Sequence, residues 1–464
     1  MSFENILVRI LNRRGTTSKD DTLGFCLGVT ETLIGNTRTD CILPFKATQH
    51  TFVCGRTGSG KTTLLLRLMD EHIRTAVPFL FIDFHGQATQ HLLAMHAAAR
   101  EKRDVVLFEP WSDPILGWNP LESNGQSSYE LVQELVGIFH RRLWPDAWGP
   151  RLEELLRMTL LALAETNLTL LEATTFISKP AFRRAVLQKV SLAEVREFWA
   201  LRFERLSPSQ RSLVSETVLN KLSVFHDPAV KYVVGQVGNS MDFDRALSNG
   251  QTIIANLSGG SLRGNNYLLA ALLVAKLKSA VYHRAPTAGQ YSIFLDEFQE
   301  MVAIDALDDY LRSFRKFNCS VFLATQHLQL SPELKAAIFG NCARFFSFAT
   351  SAGDASLLSR EFGGAESNLI ADLLPELKTG QAISKMRGQP ATLLRVTAPA
   401  VKPTPLLIER GRAICLGLGN TRAHVEREIE KRAARFSFSD STDTKQSKPI
   451  EKCAQDDSTL PEGY

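Results

Sequence analysis

His50-Thr-Phe-Val-Cys-Gly55-Arg-Thr-Gly-Ser-Gly60-Lys61-Thr62-Thr63-Leu-Leu-Leu-Arg-Leu-Met69 is an apolar run, a glycine-punctuated turn and a helical run in that order. The turn matches G-x-x-x-x-G-K-[ST], and its flanks are the strand and helix that this motif demands. Glycines at positions 55, 58 and 60 let successive backbone N–H groups turn inward around phosphate oxygens. The helix start adds its partial positive charge. Gly55, Arg56, Thr57, Gly58, Ser59, Gly60, Lys61, Thr62 and Thr63 are therefore candidate nucleotide-binding residues. Lys61 is placed to bridge the β- and γ-phosphates of ATP, and the Thr62 hydroxyl to ligate Mg²⁺.

A phosphate-binding loop that hydrolyses its nucleotide also needs acids. Ile293-Phe-Leu-Asp296-Glu297 supplies them at the end of an apolar strand. Asp296 is expected to hold Mg²⁺ through water, and Glu297 to orient and deprotonate the attacking water. Asp83, closing Phe79-Leu-Phe-Ile-Asp83, is the competing acid, but no second carboxylate adjoins it. Gln326 ends Ser320-Val-Phe-Leu-Ala-Thr-Gln326 and is the candidate sensor of the γ-phosphate or the water. Arg315, in Leu311-Arg-Ser-Phe-Arg315-Lys, is the candidate for stabilising transition-state charge at a neighbouring subunit, with Arg312 and Arg344 as competitors. Leu257-Ser-Gly-Gly260 copies the ABC-transporter signature but follows a strand and lies too far ahead of Asp296, so it is read as a turn.

Around these blocks, short apolar runs alternate with helical patterns, which makes the chain α/β. Strands are expected at His50–Cys54, Phe79–Asp83, Val105–Phe108, Thr252–Asn256, Tyr291–Leu295, Ser320–Ala324, Phe345–Ala349, Gln381–Lys385 and Thr392–Val396. Continuous apolar runs of this kind suit strands buried on both faces of a largely parallel sheet. Leu152, Leu155, Leu156, Leu160 and Leu163 fall at helical spacing, and Ser178-Lys-Pro, Ser207-Pro-Ser and His226-Asp-Pro punctuate further helices. The expected organisation is an N-terminal segment 1–45, an ATPase core 46–126 and 235–420, an all-helical insertion 127–234, and a C-terminal helix and polar tail 421–464. From about Glu430 onward the composition reads as disordered.

Composition narrows the class. Apolar residues at 44% and charged residues at 22% are those of a globular protein. A net charge of +4 does not by itself argue for nucleic acid, whose binding depends on clustered cations. The seven cysteines include no C-x-x-C pair, which excludes a disulfide framework and points to a reducing cytosol. The longest apolar run, Leu268–Ala275, stops at Lys276, well short of the roughly 20 residues a membrane span needs. Phe3, Ile6, Leu7, Ile10 and Leu11 share one face of a short basic helix. Arg263-Gly-Asn-Asn266 is a candidate pore loop.

Taken together, the phosphate-binding stretch, Gly117-Trp-Asn-Pro-Leu-Glu122, Phe294-Leu-Asp-Glu-Phe-Gln299, Leu311-Arg-Ser-Phe-Arg-Lys316 with Leu323-Ala-Thr-Gln326, and Ile338–Phe348 resemble the HerA–FtsK superfamily of DNA pumps. The closest resemblance is to its TraG/TraD-type conjugative coupling proteins, over roughly residues 27–400. That resemblance implies a RecA-like P-loop core, a hexameric ring, ATP sites at subunit interfaces and DNA threaded through the pore. It also implies Arg315 as the arginine given in trans, and a relaxosome, nuclease or secretion-channel component as partner. Membrane-anchored coupling proteins begin with transmembrane helices, and HerA carries a small β-barrel ahead of its P-loop. Neither is read here, so a cytoplasmic ATPase of conjugation or mobile-element transfer is expected, peripheral to the inner membrane only through partners. The alternatives are a motor acting on protein substrates and a nucleotide-dependent assembly switch.

Overall fold

The computed structural model describes residues 24–31, 38–44, 49–99, 104–123, 125–146, 148–262, 264–298, 301, 304–362, 367–389 and 391–437. The N-terminal basic helix and Arg263 lie outside these residues. Among the described residues eleven strands form one sheet: β1 Gly24–Glu31, β2 Arg38–Pro44, β3 His50–Cys54, β4 Phe79–Asp83, β5 Val105–Phe108, β6 Thr252–Asn256, β7 Tyr291–Asp296, β8 Cys319–Thr325, β9 Cys342–Ser347, β10 Gln381–Met386 and β11 Thr392–Val396. Their order is β2-β1-β11-β10-β9-β3-β8-β7-β4-β6-β5. From β9 to β5 every pair is parallel. From β9 outward through β10, β11, β1 and β2 every pair is antiparallel.

The β1–β2 hairpin is absent from the strand expectations. It extends the sheet by pairing Gly28 and Val29 with Val396 and Arg395. A Cβ on Gly28 would lie 2.0 Å from the Arg395 carbonyl oxygen, so only glycine permits that approach. β9 also departs from expectation, starting at Cys342 and including Arg344, which is fully buried.

The parallel strands carry side chains alternately to two faces, and each face has its own core. Val53, Phe79, Phe81, Phe294 and Phe322 pack with α1 (Lys61–Arg74) and α2 (Gln87–Ala98). Phe52, Leu80, Ile82 and Leu295 face the opposite way, into a larger cluster. That cluster continues without a break into the helices between β5 and β6. These are α3 Ser128–Leu143, α4 Pro150–Glu165, α5 Glu172–Ser178, α6 Pro180–Leu187, α7 Ala193–Glu197, α8 Pro208–Leu222, α9 Pro228–Val234 and α10 Phe243–Ser248. The same face takes α11 Asn266–His283 and α12 Ile304–Ser313. Then follow α13 Pro332–Asn341, α14 Ala352–Phe362, α15 Ser367–Leu373, α16 Pro405–Ala413 and α17 Arg422–Ser437.

Gly117–Leu121 staples the two ends of the long helical stretch. The Trp118 amide donates to the Val233 carbonyl at 3.0 Å, and the Asn119 amide donates to the Asn239 side chain at 2.9 Å. On the far side, Arg432 of α17 donates to Glu172 and to the Gly235 carbonyl. These bonds order α17 past Glu430, where composition alone read as disordered, as far as Ser437.

His50, His72 and His96 are all buried, and burial pushes each imidazole down to about 4. A histidine in the unfolded chain titrates near 6.5. Between those values the unfolded state takes up protons that the fold refuses, so stability is complete above about pH 6.5 and is lost as pH falls toward 4. The carboxyls of Asp70, Glu71 and Glu134, raised by burial, oppose this only nearer the carboxylate range. Urea midpoints are expected to be level above about pH 7 and to drop between about 6.5 and 5. A level midpoint through that window would mean the imidazoles are not shielded.

Candidate nucleotide site

β3, β8 and β7 are neighbours and parallel, so their C-terminal ends deliver three chemistries to one edge. β3 gives the glycine loop, β7 the acids Asp296 and Glu297, and β8 Gln326. Ligand crevices of parallel sheets lie at that edge. In the loop, Gly55, Gly58 and Gly60 have φ of 153°, 76° and 120°. A Cβ on Gly55 would sit 2.6 Å from Phe348 Cβ, so the loop is laid directly on the residue that follows β9. α1 then begins with no side-chain cap and no acidic residue in its first turn. Its first amides are thus left for an outside anion.

Lys61 is buried, and its ammonium donates to the carbonyls of Gly55 at 2.7 Å and Arg56 at 3.1 Å. Burial lowers its pKa, against the opposing pull of Asp296 and Glu297. Asp296 is raised by burial, with Lys61 opposing. Lys61 and Asp296 therefore sustain each other's charge in a poorly solvated pocket. Glu297 has φ of 53°, a left-handed conformation that non-glycine residues adopt at a cost and that recurs at functional sites. Its carboxylate accepts from Gln326 Nε2, and Gln326 Oε1 accepts from the Thr57 hydroxyl at 2.7 Å. A hydrogen-bonded line thus runs from glycine loop to candidate base. Thr62 is exposed at the helix start and Thr63 half-buried beside it, so the Thr62 hydroxyl is open to a cation. An uncapped helix start, an open hydroxyl and a half-buried acid are a donor set that fits Mg-ATP.

Asp83 is occupied otherwise. One oxygen accepts from the His85 and Gly86 amides at 2.9 Å each, the other from the Thr89 amide and hydroxyl at 2.7 and 2.8 Å. Those four bonds saturate the carboxylate and fix the turn into α2. Arg315 sits in the turn Phe314–Phe317 ahead of β8, exposed, at the end of the sheet opposite the glycine loop. Arg312 is exposed at the same end, whereas Arg344 is buried within β9 and is not presented to a neighbour. Leu257–Gly259 leave β6 without regular structure and lead into the 3-10 turn Gly260–Leu262, and Gly259 rests on Trp111.

Residues 41–173 match the family model for the type IV secretion-system coupling protein DNA-binding domain. No curated protein matches. Among solved structures, the bacterial conjugative coupling protein TrwB in an unbound form is 16% identical, covering 86% of this chain and 92% of that one, with a TM-score of 0.58. The fold is that of a coupling-protein P-loop ATPase. TrwB in complex with ADP and Mg²⁺ aligns at 15% identity over 85% of this chain and 99% of that one, TM-score 0.53. VirB4 of Thermoanaerobacter pseudethanolicus aligns at 13% identity over 83% and 99%, TM-score 0.55. Among the described residues no helix is long and apolar enough to cross a membrane.

Within this coupling-protein fold, sequence reasoning missed the residues that brace the loop from behind. The Arg56 amide donates to the Ala349 carbonyl at 2.7 Å, and the Gly380 amide to the Ser59 carbonyl at 2.8 Å. Gly380 has φ of 82° and backs onto Gly60. The Thr379-Gly380 turn before β10 was the available signal, but nothing local ties it to residues more than 300 positions earlier.

Proposed function

We propose that this chain is an ATP-driven DNA translocase of conjugation or mobile-element transfer, working as a hexameric ring. The observation that carries the ATPase part is the line Thr57–Gln326–Glu297, which connects the nucleotide loop to a carboxylate that can take a proton. When bound, Mg-ATP supplies the scissile phosphoryl group and the cation that neutralises its charge. Lys61 and the first amides of α1 hold the phosphates, Thr62 and Asp296 the cation, and Glu297 takes the proton of the attacking water. Gln326 fixes the Glu297 carboxylate. Arg315 acts in trans.

The match of residues 41–173 to a coupling-protein DNA-binding domain supports DNA as the substrate. So does the likeness to TrwB and VirB4. Core residues 46–126 and 235–420 form the motor, and 127–234 the insertion that meets DNA or a relaxosome, nuclease or secretion-channel partner. Residues 1–45 and 421–464 flank them. The working location is cytoplasmic, at the inner membrane through partners.

ATPase rate with and without single- and double-stranded DNA is the test. Severalfold stimulation by one of them is expected, weakening as salt rises, because phosphate contacts release counterions. Equal rates with and without either DNA, together with stimulation by an unfolded protein, would identify a protein-substrate motor instead.

A further inference from the structure

His50 opens β3, the strand that runs into the glycine loop, and is fully buried. Both ring nitrogens are engaged. The Val321 amide donates to Nδ1 at 3.0 Å, and Nε2 lies 2.6 Å from the Leu311 carbonyl oxygen. An accepting Nδ1 places the proton on Nε2, which therefore donates to Leu311. Val321 belongs to β8, which ends at Gln326, and Leu311 to the last turn of α12, just ahead of Arg315. The Arg315 charge is close enough to disfavour imidazolium at His50. One neutral ring therefore joins the strand of the nucleotide loop, the strand of the sensor and the arginine segment.

We propose that His50 is a positioning residue that couples the nucleotide state of its own loop to the placement of Arg315, and so to the neighbouring site. This rests on the assignment of Arg315 as the trans arginine. β3 is clamped in register between β8 and β9 from Thr51 to Cys54, so those four residues move together, and the register against β9 shifts between His50 and Thr51, which leaves His50 at the irregular end of that unit. A shift of its loop end on binding ATP reappears at its His50 end. There the bond to Leu311 passes the shift to a segment that has left the sheet. A histidine serving only to fill space would need neither bond, and one serving only to satisfy a buried carbonyl would have no reason to hold β8 as well.

Two conservative variants separate coupling from stability. His50→Gln reaches the Nε2 position and keeps the donation to Leu311. His50→Asn reaches the Nδ1 position and keeps the bond from Val321. Each loses one buried bond, so their Tm values should match. We expect His50→Gln to keep kcat within about twofold, and His50→Asn to lose about tenfold with unchanged KM for ATP and a Hill coefficient falling toward about one. In an Arg315→Ala background His50→Asn should cost nothing further, since both act through one group. Equal kcat for the two variants at equal Tm, while Arg315→Ala alone is slow, overturns the role of His50. A fast Arg315→Ala overturns the arginine assignment, and this coupling with it. Should both His50 variants fail to fold, wild-type hydrogen exchange decides. A non-hydrolysable ATP analogue must alter exchange in 311–317, and unchanged exchange there overturns the proposal.

Discussion

Arg315→Ala binds ATP as the wild type does and turns over about 10³-fold or more slowly, the loss typical of a removed arginine finger. The expectation comes from where the residue stands. It precedes β8, whose seven residues run toward the phosphate end of the sheet. At about 3.3 Å per residue that is roughly 20 Å, further than an arginine extends. Arg315 therefore cannot serve the site of its own chain. In the proposed ring, this end of one subunit would face the phosphates of the next, where a cation in a poorly solvated cleft offsets developing charge. Mixing Arg315→Ala with Lys61→Ala protein should restore part of the activity, because some interfaces then combine an intact loop with an intact arginine. Subunit exchange is verified in the same mixture by energy transfer between labelled chains. Full activity from a strictly monomeric preparation would sink the trans role outright.

Glu297→Gln retains ATP binding and loses about 10²–10⁴-fold in hydrolysis, the range spanned by a positioned general base. The amide is nearly isosteric and can turn its oxygen toward Gln326 Nε2, so the line to Thr57 survives. What disappears is the capacity to take a proton. A fluorescent ATP analogue measures the first half and single-turnover hydrolysis the second. Wild-type turnover would remove Glu297 as the base and leave Asp296 as the remaining acid at this strand end. Lost binding in a folded variant would mean instead that the strained backbone at φ of 53° shapes the phosphate cradle.

The sequence was legible where one local signal was sufficient. A buried parallel strand must be apolar on both faces, so β3, β4, β5 and β6 are found at their exact bounds, as is the antiparallel β11, and the acids and Gln326 fall at strand ends because chemistry collects there. It was least legible where the reason for a structure lies far along the chain. β1 exists because Gly28 can approach Arg395, and no window of residues near Gly28 contains that partner. β9 starts before Arg344, whose charge breaks the apolar run although the residue is wholly buried. Phe348 and Ala349 look like the end of that strand but have left it to carry the glycine loop. His50 looked like an ordinary strand opening, since its two partners lie 261 and 271 positions away.

β5 closes one edge of the sheet, and its outer side is covered by the end of α16 and the segment that follows it. The Leu416 amide donates to the Val105 carbonyl at 2.8 Å, Gly411 lies against Leu93, and Arg412 grips Glu109 with both terminal nitrogens. On the ribosome that cover arrives late. About 310 residues separate Val105 from Cys415, and at ordinary elongation rates they take about 15–60 s to emerge. For that interval the growing chain carries an unpaired strand edge of the kind other chains can add to. The residues that seal the edge therefore mark, as they emerge, the moment from which this edge of the nascent chain no longer needs an escort.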